Sequence, residues 1–316
     1  MSIEILIAPA ASGKTQTCIK RIREAKKDNP LAQVWVLVPN PQAAAQFKAR
    51  LAESGGIMAV RVGVFARLFH EILEEEGVFI PVLSPALSHR LIQETVREAS
   101  NAGELAHYDA IQDKPGFLSV LKDAFAELRS ARVKPAAFLD YTRNSSPARY
   151  ELAILYDRLL KRLPEIGWVD GEGLSWLAIE ALESDPTLAS RLSLVVVDGF
   201  TAFTAAQRQF LKLLGEQADE MLITLPGERD SERTVDRRSR EVLKSLQRDG
   251  VEAVPYMARS PHNEGDSRGE GVIRYMAQHI FETSEIAPGG TETPPMQLSE
   301  PIMLEARSQA EEAREA

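Results

Sequence analysis

The stretch IEILIAPAASGKTQTCIKRI, residues 3–22, indicates how this chain folds. An apolar run over residues 3–7 leads into small residues, then into Gly-Lys-Thr at positions 13–15, and then into a segment whose apolar positions follow helical spacing. A strand, a loop and a helix in this order are typical of a phosphate-binding loop. The motif reads A-x-x-x-x-G-K-T, because Ala8 stands where the usual pattern has its first glycine.

The residue types of this loop suit a bound nucleotide. Backbone N–H groups and the N-terminus of the following helix favour an anion, Lys14 brings a compact positive charge to the phosphate oxygens, and the hydroxyl of Thr15 can ligate Mg²⁺. Ala8 must keep a negative φ or tolerate mild strain. We therefore predict ATP and Mg²⁺ as cofactors, with the nucleotide-binding residues Ala8, Ala11, Ser12, Gly13, Lys14, Thr15 and Gln16. The alternative is a strand-to-helix turn that contains Ser-Gly-Lys-Thr without binding a nucleotide.

The overall composition narrows the classes of function. The chain has 316 residues, of which 44% are hydrophobic and 26% charged, which is typical of a globular protein long enough for two domains. Its formal charge of −9 excludes a global basic field, so contact with nucleic acid needs a local patch or a basic partner. The single cysteine, Cys18, is expected to be buried, and the five scattered histidines predict no metal cage. Without a leader or a long apolar run, we expect a cytoplasmic chain with no membrane partner.

Strand and helix patterns alternate on both sides of a long helical block. Apolar runs at 34–38 and 59–65 predict strands, and amphipathic segments follow each of them. From residue 84 to about 190 the spacing is helical, and apolar strands return at 192–197 and 220–226. The predicted fold class is therefore α/β, a P-loop NTPase with a RecA-like parallel sheet and a large helical insertion.

The same patterns predict the domain boundaries. Residues 1–83 and 190–226 form the motor domain, and residues 84–189 form a helical accessory insertion. Residues 227–300 are predicted to be a charged helical and flexible linker, and residues 301–316 the truncated start of a second motor domain.

A second motif supplies a carboxylate for the metal. Asp198 ends the apolar run LSLVVVD, which is where a phosphate-binding fold places the residue that holds Mg²⁺ together with Thr15. In motor ATPases the next residue is commonly a glutamate that orients the attacking water, whereas here it is Gly199. We therefore expect slow hydrolysis, because this general base is missing. The alternative role of Asp198 is that of a turn-forming residue at a strand end.

Several segments resemble a known family. APAASGKT, VPNPQAAAQF, VGVFARL and VVVDGFTAFTAAQ occur in the order and spacing of the N-terminal half of AddB-like and RexB-like proteins. These are subunits of bacterial ATP-dependent helicase-nucleases that act in DNA double-strand break repair and recombination. The resemblance implies an inactivated superfamily one helicase fold, followed in the whole protein by a PD-(D/E)XK nuclease domain with an iron-sulfur cluster.

The resemblance also implies sites and partners. Asp198 and Thr15 correspond to the Mg²⁺ position. Single-stranded DNA is expected to bind weakly, and the expected protein partner is an AddA-like helicase subunit. The candidate DNA contacts are Pro39, Asn40, Gln42, Phe47, Phe65 and Arg67. One cysteine cannot hold a cluster that needs four, so we expect a truncated chain without nuclease activity. We also expect the chain to be a poor ATPase on its own, and the full-length protein to be a helicase and exonuclease.

Two other functions remain open from the residues. A small-molecule kinase also uses this loop, but it normally has a short arginine-bearing lid instead of a hundred-residue helical insertion. A nonenzymatic scaffold would keep the fold and bind nucleotide without turnover, which the glycine at position 199 favours.

Overall fold

The computed structural model of the protein describes residues 2–9, 12–53, 55, 58–227, 236–251 and 253–255. Six strands are described: β1 (Ser2–Ala8), β2 (Gln33–Leu37), β3 (Val60–Gly63), β4 (Leu192–Val197), β5 (Glu220–Pro226) and β6 (Ala253–Pro255). The α-helices of this part are α1 (Lys14–Asp28), α2 (Pro41–Glu53), α3 (Phe65–Glu75), α4 (Pro85–Asn101), α5 (Pro115–Ser130), α6 (Pro135–Thr142), α7 (Pro147–Glu165), α8 (Gly171–Ser184), α9 (Ala205–Gln217) and α10 (Arg237–Arg248).

All six strands form one sheet in the order β3-β2-β4-β5-β1-β6, and every pair of neighbours is parallel. The predicted α/β class with a parallel sheet is confirmed. β5 lies between the two strands that carry the sequence motifs, with Ile5 of β1 opposite Ile223 and Val197 of β4 opposite the same residue. The carboxyl ends of β1, β5 and β4 therefore meet at one edge of the sheet.

The sheet is covered by helices on both faces, which explains why its strands are continuous apolar runs. Along β4, Val195 and Val197 face a core built with α3, α8, α9 and α10, whereas Leu194 and Val196 face a core built with α1 and α2. Cys18 is fully buried in the second core, and burial raises the pKa of its thiol well above its ordinary value. The cysteine is therefore a packing residue, as its position on α1 predicts.

The helices between α3 and β4 have a core of their own, with one exception. Leu91 of α4, Leu121 of α5 and Leu159 of α7 belong to this separate core. Leu174 and Ile179 of α8 instead join the core of the sheet. The predicted insertion at 84–189 thus includes a last helix that packs against the sheet domain.

The structure adds a strand to the predicted sheet. In the range 227–300, which the sequence assigned to a linker, α10 buries Val242 and Leu246 against the sheet core, and β6 pairs with β1. The predicted start of a second motor domain at 301–316 lies outside the described residues. The domain boundaries therefore stay a prediction.

Five phenylalanines form an aromatic cluster beside the carboxyl edge of β4. The ring of Phe210 on α9 is fully buried, and its centroid lies 4.7 Å from that of Phe69 and 6.3 Å from that of Phe65. Phe200 and Phe203, in the loop after β4, stack on each other with centroids 5.1 Å apart. The cluster fixes the loop that follows Asp198 against α3 and α9.

Removal of the central ring should test this packing. Phe210→Ala is expected to lower the free energy of unfolding by about 3–5 kcal/mol, because it leaves a cavity that the neighbouring rings cannot fill. Urea unfolding followed by circular dichroism measures the change. Tyr141→Ala, at an exposed position, is the control and should change stability by less than about 0.5 kcal/mol. Equal effects of the two substitutions would contradict the packing role.

Candidate functional site

The loop between β1 and α1 presents a helix N-terminus with free capping positions. Gly13 adopts a left-handed conformation, with φ 79° and ψ 18°, and precedes the first residue of α1. Among the described residues no side chain caps this helix, and its first turn contains no acidic residue. Its first backbone N–H groups and its dipole are therefore available to an anion. A side chain at position 13 would be strained, so the glycine of the motif has a structural reason.

Ala8 shows how the motif dispenses with its first glycine. It is the last residue of β1, pairs with Pro226, and has no positive φ, so alanine fits without strain. Ser12 donates a hydrogen bond to the carbonyl oxygen of Pro9 at 2.8 Å, and Gln16 is exposed. Ala11 lies outside the described residues.

Lys14 folds back over its own loop. Its Nζ donates to the carbonyl oxygens of Ala8, at 2.7 Å, and Pro9, at 2.5 Å. Burial lowers the pKa of Lys14, and the nearby Asp198 carboxylate opposes that shift. An ammonium group that is partly desolvated and held only by neutral carbonyls gains more from a phosphate than a fully hydrated lysine does.

Asp198 joins three elements at the carboxyl edge of the sheet. The hydroxyl of Thr15 on α1 donates to its Oδ2 at 2.9 Å, and the hydroxyl of Thr224 on β5 donates to its Oδ1 at 2.5 Å. Its backbone N–H donates to the carbonyl oxygen of Leu37 on β2 at 2.9 Å. The two sequence motifs, 183 residues apart, are therefore in direct contact.

The donor set at this edge fits Mg²⁺. A threonine hydroxyl and a carboxylate oxygen are the hard ligands that this ion takes, and it usually completes its shell with waters and phosphate oxygens. Within the described residues no group of three or more His, Cys, Asp or Glu side chains could form a protein-only cage. An ion here would thus be held by Thr15 and Asp198 jointly with a nucleotide.

The backbone conformation at position 199 strains any side chain, including a catalytic carboxylate. Gly199 has φ +84°, and a Cβ built on it would lie 3.5 Å from Cδ of Pro39. The contact itself is ordinary, but the left-handed backbone penalises any side chain. The local backbone conformation therefore favours glycine over glutamate after Asp198.

The candidate DNA contacts separate into surface and core residues. Pro39, Asn40, Gln42 and Arg67 are exposed around the start of α2 and of α3. Asn40 accepts a hydrogen bond from the backbone N–H of Ala43 at 2.8 Å.

The two aromatic candidates differ from these. Phe47 and Phe65 are only 3% and 6% exposed and belong to the two cores of the sheet domain. Neither ring is presented to a base: the resemblance pointed to the segments that contain them, whereas their helical spacing places both rings on buried helix faces. A shallow groove of about 300 Å³ lies beside the exposed candidates and is lined in part by Lys48 and Arg67.

Sequence reasoning missed Thr224. This residue is 1% exposed and contacts Asp198 directly, yet it lies inside the strand EMLITLP, whose pattern indicates only an apolar run. The available signal was that it is the only polar side chain between Met221 and Pro226. A buried hydroxyl at the end of a central strand needs a partner, which points to the edge where ligands bind.

No helix in the described part of the chain combines the length and the apolar character that crossing a membrane requires.

Comparison with known proteins gives consistent matches. A family model described as ADDB, N-terminal, matches residues 5–248. The chain is similar to three proteins that are each named as the B subunit of an ATP-dependent helicase/deoxyribonuclease. That of Moorella thermoacetica is 26% identical over 71% of this chain, that of Bacillus licheniformis 25% over 72%, and that of Symbiobacterium thermophilum 28% over 71%. In each case the match spans 20% of the relative, so the chain corresponds to about a fifth of their length.

The environment of Lys14 predicts a pH-dependent stability. Because its folded pKa is lowered, the charged lysine disfavours folding, and this penalty disappears as pH rises from the lowered pKa through the ordinary value of 10.5. Lys14→Met should therefore be more stable than the wild type at pH 7, by a margin that shrinks as pH approaches 10.5. Neither carbonyl is orphaned, since Ala8 also accepts from Gly227, and Pro9 from Ser12.

Thermal unfolding of both proteins between pH 6 and pH 10 measures this difference. Lys20→Met, at an exposed position of the same helix, controls for the loss of one positive charge. A Lys14→Met protein that is less stable at pH 7 would contradict the prediction.

Proposed function

Because the chain belongs to the AddB N-terminal family, we propose that it is the nucleotide-binding, helicase-like part of a subunit that acts in DNA double-strand break repair and recombination. The observation that carries the nucleotide role is the hydrogen bond between Thr15 and Asp198, with Lys14 beside it at the carboxyl edge of a parallel sheet. A P-loop NTPase fold of the RecA-like type accounts for this arrangement.

In this proposal the residues of the loop have separate tasks. The N–H groups at the start of α1 and the Lys14 ammonium hold the phosphates, and Thr15 and Asp198 hold Mg²⁺. The bound ion would neutralise phosphate charge. Displacement of the Lys14 ammonium from the carbonyls of Ala8 and Pro9 would accompany nucleotide binding, because phosphate oxygens offer it a charged acceptor.

Turnover is proposed to be slow. Gly199 has no side chain with which to orient a water molecule, and its left-handed backbone disfavours one. A side chain that acts as a general base typically contributes about 10²–10⁴ in rate. We propose that an arginine that stabilises developing charge, worth about 10³–10⁵ in rate in related sites, comes from a second motor domain or from a partner. The nonenzymatic scaffold is therefore the second candidate function, and the backbone at position 199 favours it.

Single-stranded DNA is the proposed macromolecular ligand of the groove beside Pro39 and Arg67. The groove lies between α2 and the carboxyl end of β3, and Lys48 and Arg67 give it positive charge within an acidic chain. Phosphate neutralisation supplies most nonspecific affinity, so this contact is weak and salt-sensitive in the isolated chain. The proposed partner is an AddA-like helicase subunit, and any nuclease activity belongs to the remaining four fifths of proteins such as the matched relatives.

The nucleotide proposal predicts binding without efficient hydrolysis. Calorimetric titration with Mg-ADP should detect binding to the wild type, and Lys14→Ala should weaken it severely, because the phosphates lose the side-chain cation of the loop. Lys20→Ala, on an exposed turn of the same helix, should bind like the wild type. If Lys14→Ala binds as well as Lys20→Ala, the loop is not a nucleotide site.

Single-turnover hydrolysis of Mg-ATP tests the proposed slow turnover. The rate constant is expected to fall well below about 1 s⁻¹, the low end of typical enzyme turnover. A rate constant at or above that value would show that Gly199 has not disabled the site.

The DNA proposal predicts a local effect of charge. Arg67→Glu should weaken binding of a single-stranded oligonucleotide at low salt and reduce the slope of log affinity against log salt by about 0.7, the value for one phosphate contact. Arg90→Glu is a matched control, because Arg90 pairs with Glu94 just as Arg67 pairs with Glu71, each at i,i+4. Equal losses in fluorescence anisotropy titrations of the two variants would contradict the assignment of the groove.

A further inference from the structure

Thr224 lies where the proposed metal site meets the interior of the sheet. Its hydroxyl donates to Oδ1 of Asp198 at 2.5 Å and accepts the backbone N–H of Gly199 at 3.4 Å. The side chain is 1% exposed, and no solvent can replace it. A threonine hydroxyl has one proton to donate and two lone pairs, so the direction of both hydrogen bonds is set by chemistry.

The two oxygens of Asp198 are therefore assigned different neighbours. Oδ1 is held from the side of β5 by Thr224, and Oδ2 faces Thr15 on α1. Rotation of the carboxylate about its last bond would break both contacts. Asp198 is itself only 7% exposed, so water offers little compensation for a lost donor.

We propose that Thr224 is a positioning residue that fixes the Asp198 carboxylate with Oδ2 directed at the Thr15 side, where Mg²⁺ would be held. This inference rests on the proposed nucleotide function and adds a residue that neither motif contains. Residues that orient a ligating carboxylate typically contribute 10–100-fold to metal affinity. The hydroxyl should therefore control the Mg²⁺-dependent part of nucleotide binding and leave the metal-independent part unchanged.

The contact with Gly199 gives the hydroxyl a second role. By accepting that N–H, Thr224 ties the peptide after Asp198 to β5 and helps to keep Gly199 left-handed. The Asp198 carboxylate and the Gly199 N–H thus share one buried partner atom, Oγ1 of Thr224.

The test compares ADP affinity with and without the metal. Dissociation constants for ADP are measured by calorimetry in Mg²⁺ and in EDTA for the wild type, Thr224→Val and Thr224→Ser. In Thr224→Val, whose side chain is isosteric with threonine, the dissociation constant for ADP in EDTA should be unchanged. The ratio of the dissociation constant in EDTA to that in Mg²⁺ should fall by about tenfold or more. Serine, which keeps the hydroxyl, should restore the wild-type ratio. If the valine protein fails to fold by circular dichroism, Thr224→Ala takes its place.

The outcomes separate this inference from the proposed function. If Thr224→Val weakens ADP binding equally in Mg²⁺ and in EDTA, or if Thr224→Ser does not restore the wild-type ratio, Thr224 has only a packing role. The inference is then overturned, while nucleotide binding by the chain stands. If the wild type binds no ADP in either condition, and Lys14→Ala behaves identically, the proposed function fails and this inference fails with it.

Discussion

The Asp198 carboxylate is the point on which the arrangement of the carboxyl edge depends. It connects α1 through Thr15 and β5 through Thr224, while the backbone N–H of the same residue bonds to Leu37 on β2. These contacts are possible because β5 lies between β1 and β4, which brings the ends of three parallel strands together. A nearly buried carboxylate is stable only when its oxygens have donors, so the edge is a hydrogen-bonded unit before any ligand binds.

Under the proposed function, the same unit would suit nucleotide binding better than turnover. Gly199 leaves the strand in a left-handed conformation, with its N–H held by Thr224 and its α-carbon facing the ring of Pro39. A glutamate at position 199 would have to adopt a positive φ, which non-glycine residues avoid, or the loop would have to shift. The backbone geometry of position 199, and not only its missing side chain, therefore disfavours a carboxylate there.

The sequence predicts the parts of this structure that depend on local periodicity. The strand, loop and helix around Lys14, the buried runs that became β2, β4 and β5, and the helical spacing after residue 84 are all local signals. Contacts across the sheet are not local, so the strand of Thr224 signals a buried hydroxyl that needs a partner but not that this partner is Asp198. Phe47 and Phe65 were named as DNA contacts because the resemblance identifies whole segments, and a segment match does not tell which of its side chains face the core, where both of these rings lie. The strand β6 was missed because three residues carry too little pattern.

The aromatic cluster and α8 connect this edge to the helical block. Phe200 directly follows Gly199 and Phe203 lies three residues further along, and the rings of both contact Phe65 at the start of α3, so the peptide after Asp198 is anchored in the main core. α8 shares that core through Leu174 and also contacts α5. Arg129 of α5 forms an ion pair with Asp170, the residue before α8, at 2.9 Å. The backbone carbonyl of Arg129 accepts a hydrogen bond from the indole N–H of Trp176 on α8. Close-packed cores transmit small displacements instead of absorbing them. A shift of the 198–199 peptide would therefore be opposed first by the aromatic cluster and then by α8, so the edge and the helical block constrain each other through packing.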